Sequence, residues 1–327
     1  MIAPHLLVHE GLDGWLFLTG GTNFVTTLYK KEGGGLPDEK LRLWRDLILR
    51  RIERAEALGI RYAHMVVPEK LTIYGDKQSE PLVDPELAPA IRLRDMFAQT
   101  AAASSYVDLV APMRAARKEQ DLYWRTDTHW NAEGCLLAYG ELCRSLNLSP
   151  VEDLRERPKL QFETIMDLGG KLDPRRWETI DKYQWARDAT RIYTNRIAYF
   201  LDRAEYGSMI HVGAHAKFLN PAAKNSQKTL LFGDSFSTPD THLLTGVLAE
   251  TVRELDFIWS ANIDWDYVQR TKPDILIFEI SERFMALLAN DRFSLERTEL
   301  AQAFRAARIR WRRQWSQWRE RASQQSL

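Results

Sequence analysis

A serine in a turn after an apolar stretch is the first residue that could carry chemistry. The segment LLFGDSFSTPD, residues 230–240, indicates a buried strand, a turn, and a helix that begins just after Pro239. Ser237 or Thr238 could cap this helix. Ser235 would then lie where open α/β sheets bind ligands, close to a helix N-terminus that favours a developing oxyanion. A lone serine at such a place is more commonly a cap or turn residue, so catalysis also requires a base.

The segment YWRTDTHWNAEG, residues 123–134, supplies a histidine and a carboxylate. Asp127 and His129 are two residues apart, and in an extended stretch their side chains would point to the same side. A histidine whose tautomer is fixed by a carboxylate is what activation of a serine hydroxyl requires. We therefore expect a triad of Ser235, His129 and Asp127, with Asn131 as the cap of a following helix. The alternatives for the DTH segment are half of a metal site or a structural hydrogen bond.

A metal site would need two further ligands at a suitable spacing, and the sequence shows none, so we expect no metal. Cys135 and Cys143 lie eight residues apart in one predicted helix, about 12 Å at 1.5 Å per residue, too far for a disulfide. We expect both to be buried as small apolar groups. The remaining histidines are scattered: His5, His9, His64, His211, His215 and His242.

The elements around these segments alternate between helix and strand. Apolar residues recur at helical spacing over residues 39–58, and Arg61–Val67 is an apolar run ended by Pro68. Such runs are typical of strands covered on both faces, so we predict an α/β fold with a mostly parallel central sheet and helices on both sides. The other predicted strands are 106–109, 229–232 and 274–280, and the other predicted helices are 89–103 and 111–118.

The alternation fades between about residues 147 and 226, where the sequence is polar and rich in charge. We interpret this stretch as a polar insertion into the α/β domain, which either shapes a substrate groove or is merely decorative. Residues 1–292 would form the domain, and residues 293–327 a basic, tryptophan-rich helix.

Composition excludes some classes of function. The chain has 327 residues, 45 of them basic and 45 acidic, so no overall charge attracts nucleic acid or an anionic membrane. His5, His9, Glu10 and Asp13 interrupt any apolar leader, and no stretch approaches the roughly 18 apolar residues of a membrane span. From the sequence alone we expect a cytoplasmic protein that binds no nucleic acid.

Five blocks together resemble the alginate O-acetyltransferase AlgX/AlgJ family of SGNH hydrolase-like proteins. They occur in the family's order and span most of the chain, and their joint occurrence is more specific than any one of them. The blocks are GLDGWLFL (11–18), VVPEKLTIYGDK (66–77), YWRTDTHWNAEG (123–134), LLFGDSFS (230–237) and KPDILIFEISERF (272–284).

The resemblance implies a three-layer αβα fold, with Ser235 as nucleophile and Asp127 and His129 as its partners. It implies a polysaccharide or oligosaccharide acceptor, an acetyl donor as co-substrate without a cofactor, and association with other polysaccharide-modification proteins. It would also suggest the periplasm, whereas this sequence shows no export signal. Some members carry a C-terminal carbohydrate-binding module, for which too few residues follow about Arg292.

Residues beside the predicted triad could bind substrate. Arg125 could hold a donor, a sugar hydroxyl or a developing charge, or it could be a surface arginine. Trp124 and Trp130 could stack on a sugar ring, or could be buried packing residues. The backbone N–H of Ser235 is the natural first oxyanion donor, and the second cannot be placed from the sequence.

The C-terminal segment has its own pattern. Between Phe304 and Arg321, aromatic residues at helical spacing (Phe304, Trp311, Trp315 and Trp318) stand among seven arginines. Such a helix could lie on an anionic membrane surface or dock on a partner, or it could pack on its own domain with its arginines in water.

The sequence favours a two-step acetyl transfer through an acyl-serine. Two alternatives remain. A carbohydrate esterase would use the same triad with water as the attacking group, and a non-catalytic glycan-binding assembly subunit would keep only the fold.

Overall fold

The computed structural model describes residues 7–21, 24–30, 35–98 and 100–324. Residues 1–6 and the side chain of Trp318, on which parts of the sequence predictions depend, lie outside the described part. The helices are α1 (Asp38–Ala57), α2 (Lys70–Ile73), α3 (Pro89–Phe97), α4 (Val110–Ala116), α5 (Ala132–Leu146), α6 (Arg196–Asp202), α7 (Leu244–Thr251), α8 (Trp265–Thr271) and α9 (Leu295–Gln324). The strands are β1 (Val8–Glu10), β2 (Leu16–Leu18), β3 (Arg61–Val67), β4 (Tyr106–Val107), β5 (Lys159–Ile165), β6 (Trp177–Tyr183), β7 (Thr190–Thr194), β8 (His215–Leu219), β9 (Asn225–Gly233), β10 (Val252–Trp259) and β11 (Ile275–Ser281).

Seven strands form the central sheet in the order β4-β3-β11-β9-β10-β8-β7. The first five run parallel, while β8 and β7 are antiparallel to their neighbours. Six consecutive residues of β3, Tyr62–Val67, are buried, and successive residues of a strand face opposite sides. Both faces of the sheet are therefore covered, which confirms the predicted α/β class with its mostly parallel sheet flanked by helices.

The helices pack in pairs against the sheet. Helix α1 contacts α3 and β3, and α5 contacts α7 and β3. Two contacts fix these layers to distant segments: Trp44 Nε1 donates to the Met285 carbonyl at 2.9 Å, and the hydroxyls of Tyr139 and Thr251 lie 2.8 Å apart. Cys135 and Cys143 are free and buried in α5, as expected.

The polar segment predicted as an insertion over residues 147–226 is only partly separate from the domain. Its strands β7 and β8 extend the central sheet, because β8 pairs with β10. Strands β5 and β6 instead form a two-stranded hairpin of their own, which lies beside the predicted triad. The division of the chain at residue 292 stays a prediction, although α9 does begin nearby at Leu295.

Strand β10 was missed by the sequence analysis, because Arg253 and Glu254 interrupt its apolar pattern. Within the described residues, none of the helices has the length and apolar character needed to cross a membrane.

Candidate active site

The turn that carries Ser235 follows β9, a strand inside the sheet that ends at Gly233. Asp234 holds this turn with both carboxylate oxygens. Its Oδ1 accepts from the Phe236 N–H at 2.9 Å, and its Oδ2 accepts from the Ser281 N–H at 2.8 Å. The turn is thereby tied both to itself and to the end of the neighbouring strand β11.

A buried carboxyl group, Glu279, supports the same turn from below. Its Oε2 accepts from the Asp234 N–H at 3.0 Å and from the Ser237 hydroxyl at 2.7 Å. Burial, together with the charge of Asp234, raises the pKa of Glu279 well above its ordinary value. A Cβ atom at Gly233 would lie 2.8 Å from Glu279 Oε2 and 2.8 Å from Ser237 Oγ, so any larger residue would force these two hydrogen-bonded side chains to shift.

The prediction that a helix starts just after Pro239 is wrong. Thr238 adopts a left-handed φ of 47°, its Oγ1 accepts from the Asp240 N–H at 3.0 Å, and α7 begins only at Leu244. A helix dipole directly behind Ser235 is therefore absent from this turn. In the part of the chain that the structure describes, the Ser235 N–H donates to no acceptor and stays available to a ligand.

Asp127 and His129 lie in a tight turn rather than in the extended stretch predicted from their spacing. Asp127 Oδ1 accepts from both the backbone N–H of His129, at 2.8 Å, and the ring Nδ1, at 2.6 Å. The two side chains are thus brought together by a local turn. Asn131 caps α5 as predicted, because its side chain accepts from the Gly134 N–H at 3.0 Å.

The two turns meet at the imidazole of His129. His129 Nε2 lies 2.8 Å from Ser235 Oγ, while Nδ1 faces Asp127. Asp127 is buried, and the His129 side chain is 26% exposed. The structure therefore brings together the three residues that the sequence analysis selected, although 106 positions separate His129 from Ser235.

The surroundings set the protonation of this pair. Burial lowers the pKa of His129, but the charge of Asp127 and its hydrogen bond outweigh burial and hold that pKa above its ordinary value. Burial would raise the pKa of Asp127, but the neighbouring His129 and the backbone N–H groups lower it below its ordinary value. Asp127 is therefore ionised at neutral pH and favours the imidazolium form of His129.

Asp167, from the predicted insertion, is a site residue that the sequence analysis missed. Its carboxylate accepts from the Thr128 N–H at 2.9 Å and from the Thr128 hydroxyl at 2.8 Å. Its own N–H donates to Asp127 Oδ2 at 3.3 Å. Asp167 follows the hairpin strand β5, and nothing in its local sequence indicates that it reaches the DTH turn.

Glu178 and Lys70 hold the chain just before Asp127. Glu178, on β6, accepts from the N–H groups of Arg125 and Thr126 at 2.8 Å each and from the Thr126 hydroxyl at 2.6 Å.

Lys70 Nζ donates to the carbonyls of Trp124 and Arg125 at 2.9 and 3.0 Å. Burial lowers the pKa of Lys70 to about 7, against the opposing charges of Asp127 and Asp167. The only indication in the sequence that Lys70 belongs to the site was its position in one of the five blocks quoted above.

Possible metal-ligand atoms of Asp127, His129 and Asp167 lie within 4.8 Å of one another. The alternative that the DTH segment belongs to a metal site must therefore be considered again. Both ring nitrogens of His129 are, however, already engaged by Asp127 and Ser235. Asp167 is likewise engaged with Thr128. This hydrogen-bond arrangement fits a proton-transfer site better than a metal centre.

Ser235 and His129 open into a cavity of about 480 Å³ whose far wall is the hairpin β5–β6. Trp124 is half-buried and lines this cavity. The wall is largely apolar and includes Phe162, Met166, Ile180, Leu243 and Trp259. The predicted insertion therefore shapes the site.

Two residues predicted to bind substrate are placed otherwise. Trp130 is fully buried, with its ring edge-on to Phe236 at 5.0 Å, so it packs under the site and leaves no surface for a sugar. Arg125 is directed away from the cavity, where its guanidinium pairs with Asp121 at 3.0 Å. Trp130 is therefore placed as a packing residue and Arg125 as a surface residue, which are the alternatives given for them in the sequence analysis.

The parallel sheet, the serine after an inner strand and the His–Asp turn define an SGNH hydrolase-like protein. The family model "SGNH hydrolase-like domain, acetyltransferase AlgX" matches residues 8–259. The chain therefore belongs to the AlgX family of SGNH hydrolase-like acetyltransferases, as its sequence blocks indicated, and is an O-acetyltransferase.

Solved structures share this fold at low sequence identity. PatB1 from Bacillus cereus is 14% identical with a TM-score of 0.58, over 85% of this chain and 96% of that one. The O-acetyltransferase domain of Pseudomonas putida AlgJ is 16% identical with a TM-score of 0.53, over 90% and 99%. Pseudomonas aeruginosa AlgX is 16% identical with a TM-score of 0.50, over 89% and 66%. No curated protein matches the chain.

Proposed function

We propose that the protein transfers an acetyl group to a hydroxyl of a polysaccharide or oligosaccharide through an acyl-Ser235 intermediate. One observation carries this proposal: Asp127, His129 and Ser235 form a continuous hydrogen-bonded series, with contacts of 2.6 and 2.8 Å, at the wall of a cavity. A nucleophile, its base and an orienting carboxylate in this order are the arrangement that nucleophilic acyl transfer requires.

In the first step His129 Nε2 accepts the Ser235 proton as Oγ attacks the carbonyl carbon of the acetyl donor. The donor's leaving group departs with the proton from His129, and an acetyl ester of Ser235 remains. In the second step a sugar hydroxyl gives its proton to His129 and attacks the ester. Ser235 Oγ departs and regains the proton, so the enzyme ends as it began.

The charges that develop in these steps have partners in the site. Asp127 stabilises the imidazolium of His129, which forms in each step. The free Ser235 N–H is the first donor to the oxyanion. No step uses a cofactor, because the acetyl donor is a co-substrate.

A carbohydrate esterase differs only in that water attacks the acyl-serine. The apolar wall formed by Phe162, Ile180 and Leu243 limits water at the ester, which favours a hydroxyl held by the site as the acceptor. A non-catalytic glycan-binding subunit would have no use for a 2.8 Å contact between His129 and Ser235.

The test compares the purified protein with Ser235→Ala for release of p-nitrophenol from its acetate ester, with mass spectrometry of an added oligosaccharide. Ser145→Ala is the matched control, because its hydroxyl donates to the Ser104 carbonyl, away from the cavity. We expect wild type and control to acetylate the oligosaccharide and Ser235→Ala to lose release and transfer at least about 10³-fold.

Ser235-dependent release of p-nitrophenol without acetylation of the oligosaccharide would contradict the proposed transferase and support an esterase. Equal turnover by wild type and Ser235→Ala would exclude the acyl-serine altogether.

The compartment and the protein partners belong to the same proposal. The cytoplasmic location expected from the sequence stays a prediction, to be tested by cell fractionation. Association with other polysaccharide-modification proteins is proposed from the family alone.

A further inference from the structure

Helix α9 has an outer face with four large apolar side chains that are strongly exposed. Its inner face packs on the domain through Leu295, which joins the main core. It also packs through Ala306 and Ile309, in a small apolar cluster that includes Phe200 and Tyr206. The outer face instead carries large apolar side chains that are exposed to water. Leu300 is 63% exposed, Phe304 76%, Trp311 60% and Trp315 44%.

These four residues form one stripe. At about 100° per residue, positions 300, 304, 311 and 315 fall within about 60° of the helix circumference. The buried position 306 lies on the opposite side of that circumference. The stripe is therefore a second apolar face, and the first already accounts for the packing of α9 on its own domain. The rings of Trp311 and Trp315 stack with centroids 5.9 Å apart, which makes a continuous aromatic surface.

Arginines border this stripe. Arg308 and Arg312 follow it on one side of the helical wheel and Arg310 on the other, and all three are exposed. From residue 304 to 316 the helix contains no acidic residue. This local charge differs from the zero net charge of the whole chain.

We propose that the outer face of α9 binds an anionic lipid surface, with the stripe Leu300–Phe304–Trp311–Trp315 inserted at the interface and the arginines on the headgroups. Tryptophan suits this boundary because its ring is apolar and its N–H is polar. Arginine stems reach from the apolar layer to anionic groups. A protein partner would need a complementary acidic groove, whereas anionic lipid meets the apolar stripe and its cationic borders with one surface.

The helix is also linked to the active-site cavity. Leu201 and Trp259 pack against the cluster on which α9 rests, and both line the cavity beside Ser235. Binding at α9 would therefore hold the acetyl-transfer site at a fixed position relative to the lipid surface. This consequence depends on the proposed function, but lipid binding itself does not.

The experiment measures sedimentation of the full-length protein with vesicles of phosphatidylglycerol and phosphatidylcholine, and with phosphatidylcholine alone. We expect binding to the anionic vesicles only. Trp311→Ser with Trp315→Ser should weaken it at least about tenfold, and Arg308→Gln with Arg312→Gln by roughly fivefold per arginine, at low salt. Because these side chains are exposed, the melting temperature should not change, and this separates lost binding from lost folding.

Trp177→Ser is the matched control, since Trp177 is also 60% exposed but lies on the hairpin. It should bind vesicles as wild type does. Equal binding by wild type and the double tryptophan variant would overturn the proposal. So would failure of wild type to bind anionic vesicles, and a dimer in solution that the same double variant dissolves would then assign the stripe to a second copy of the chain.

Discussion

At the scale of single residues, the imidazole of His129 lies between a carboxylate and a hydroxyl, and the two contacts have different effects. The contact to Asp127 fixes which ring nitrogen carries the proton and raises the pKa of His129. The contact to Ser235 uses the other nitrogen, which must be unprotonated to accept the serine proton. Asp127 therefore favours the charged histidine that forms during the reaction but reduces the neutral fraction at low pH.

The acid limb of the pH profile follows from this balance. Because the pKa of His129 lies above its ordinary 6.5, activity should fall as the pH decreases through a value above 6.5. In Asp127→Asn the charge that raises this pKa is gone, so the limb should move to lower pH. The plateau rate should fall roughly 10³- to 10⁴-fold, because the tautomer is no longer held. The measurement is kcat/KM for an acetyl ester against pH.

Asp121→Asn is the control for Asp127→Asn, because Asp121 is a nearby exposed aspartate that pairs with Arg125 outside the cavity. Its profile should match that of wild type. An unshifted acid limb in Asp127→Asn would contradict the role given to the Asp127–His129 contact.

At the scale of elements, the hairpin β5–β6 acts on the DTH turn through its backbone. Glu178 supplies acceptors to two N–H groups and one hydroxyl just before Asp127, and Asp167 supplies two more acceptors just after it. A segment interpreted from the sequence as a polar insertion thus positions the loop that carries the base.

We expect Glu178→Ala to lower kcat about tenfold or more, with a smaller effect on KM, because the orphaned N–H groups of Arg125 and Thr126 let the turn shift. The control is Glu163→Ala on the partner strand of the same hairpin, where the side chain is exposed. Steady-state kinetics of both variants make the comparison. Equal kcat in the two would show that the hairpin does not position the turn.

The same elements show what a sequence can and cannot indicate. Arg61–Val67 was predicted with its observed bounds, because a mostly apolar run between Gly59 and Pro68 allows few alternatives. The prediction of a helix after Pro239 was wrong because Thr238 adopts a left-handed conformation that changes the direction of the chain. A threonine in the sequence does not indicate that conformation. Asp167 and Glu178 were missed because their partners are distant in sequence, and only the tertiary fold brings them together.

At the scale of the whole molecule, Glu282 joins segments from opposite ends of the chain. This fully buried carboxyl group, just after β11, accepts from the hydroxyls of Tyr29 and Thr72 at 2.9 and 2.6 Å. It also accepts from the N–H groups of Glu69 and Ala90 at 2.8 and 2.7 Å. The N-terminal segment, α2 and α3 therefore share one acceptor at the end of the sheet.

Glu282→Ala should leave the N–H groups of Glu69 and Ala90 buried without an acceptor. It should also orphan one of the two hydroxyls, of Tyr29 and Thr72, which lie 3.1 Å apart and can bond to each other. The fold should be destabilised by at least about 3 kcal/mol. Glu296→Ala, at an exposed carboxylate paired with Arg270, should cost less than about 1 kcal/mol. Urea unfolding followed by circular dichroism gives both values. A loss at Glu282 no larger than that at Glu296 would contradict the joining role.

The position of β11 in the sheet has a consequence for how the protein is made. This strand, near the end of the described chain, lies between β3 and β9 and pairs with both. About 200 residues must therefore be synthesised and kept from aggregating after β3 emerges from the ribosome before its partner strand β11 exists. Ser235 leaves the ribosome before β11 does, so a nascent chain halted before Ile275 would carry every residue of the triad and still lack the strand that joins the two halves of its sheet.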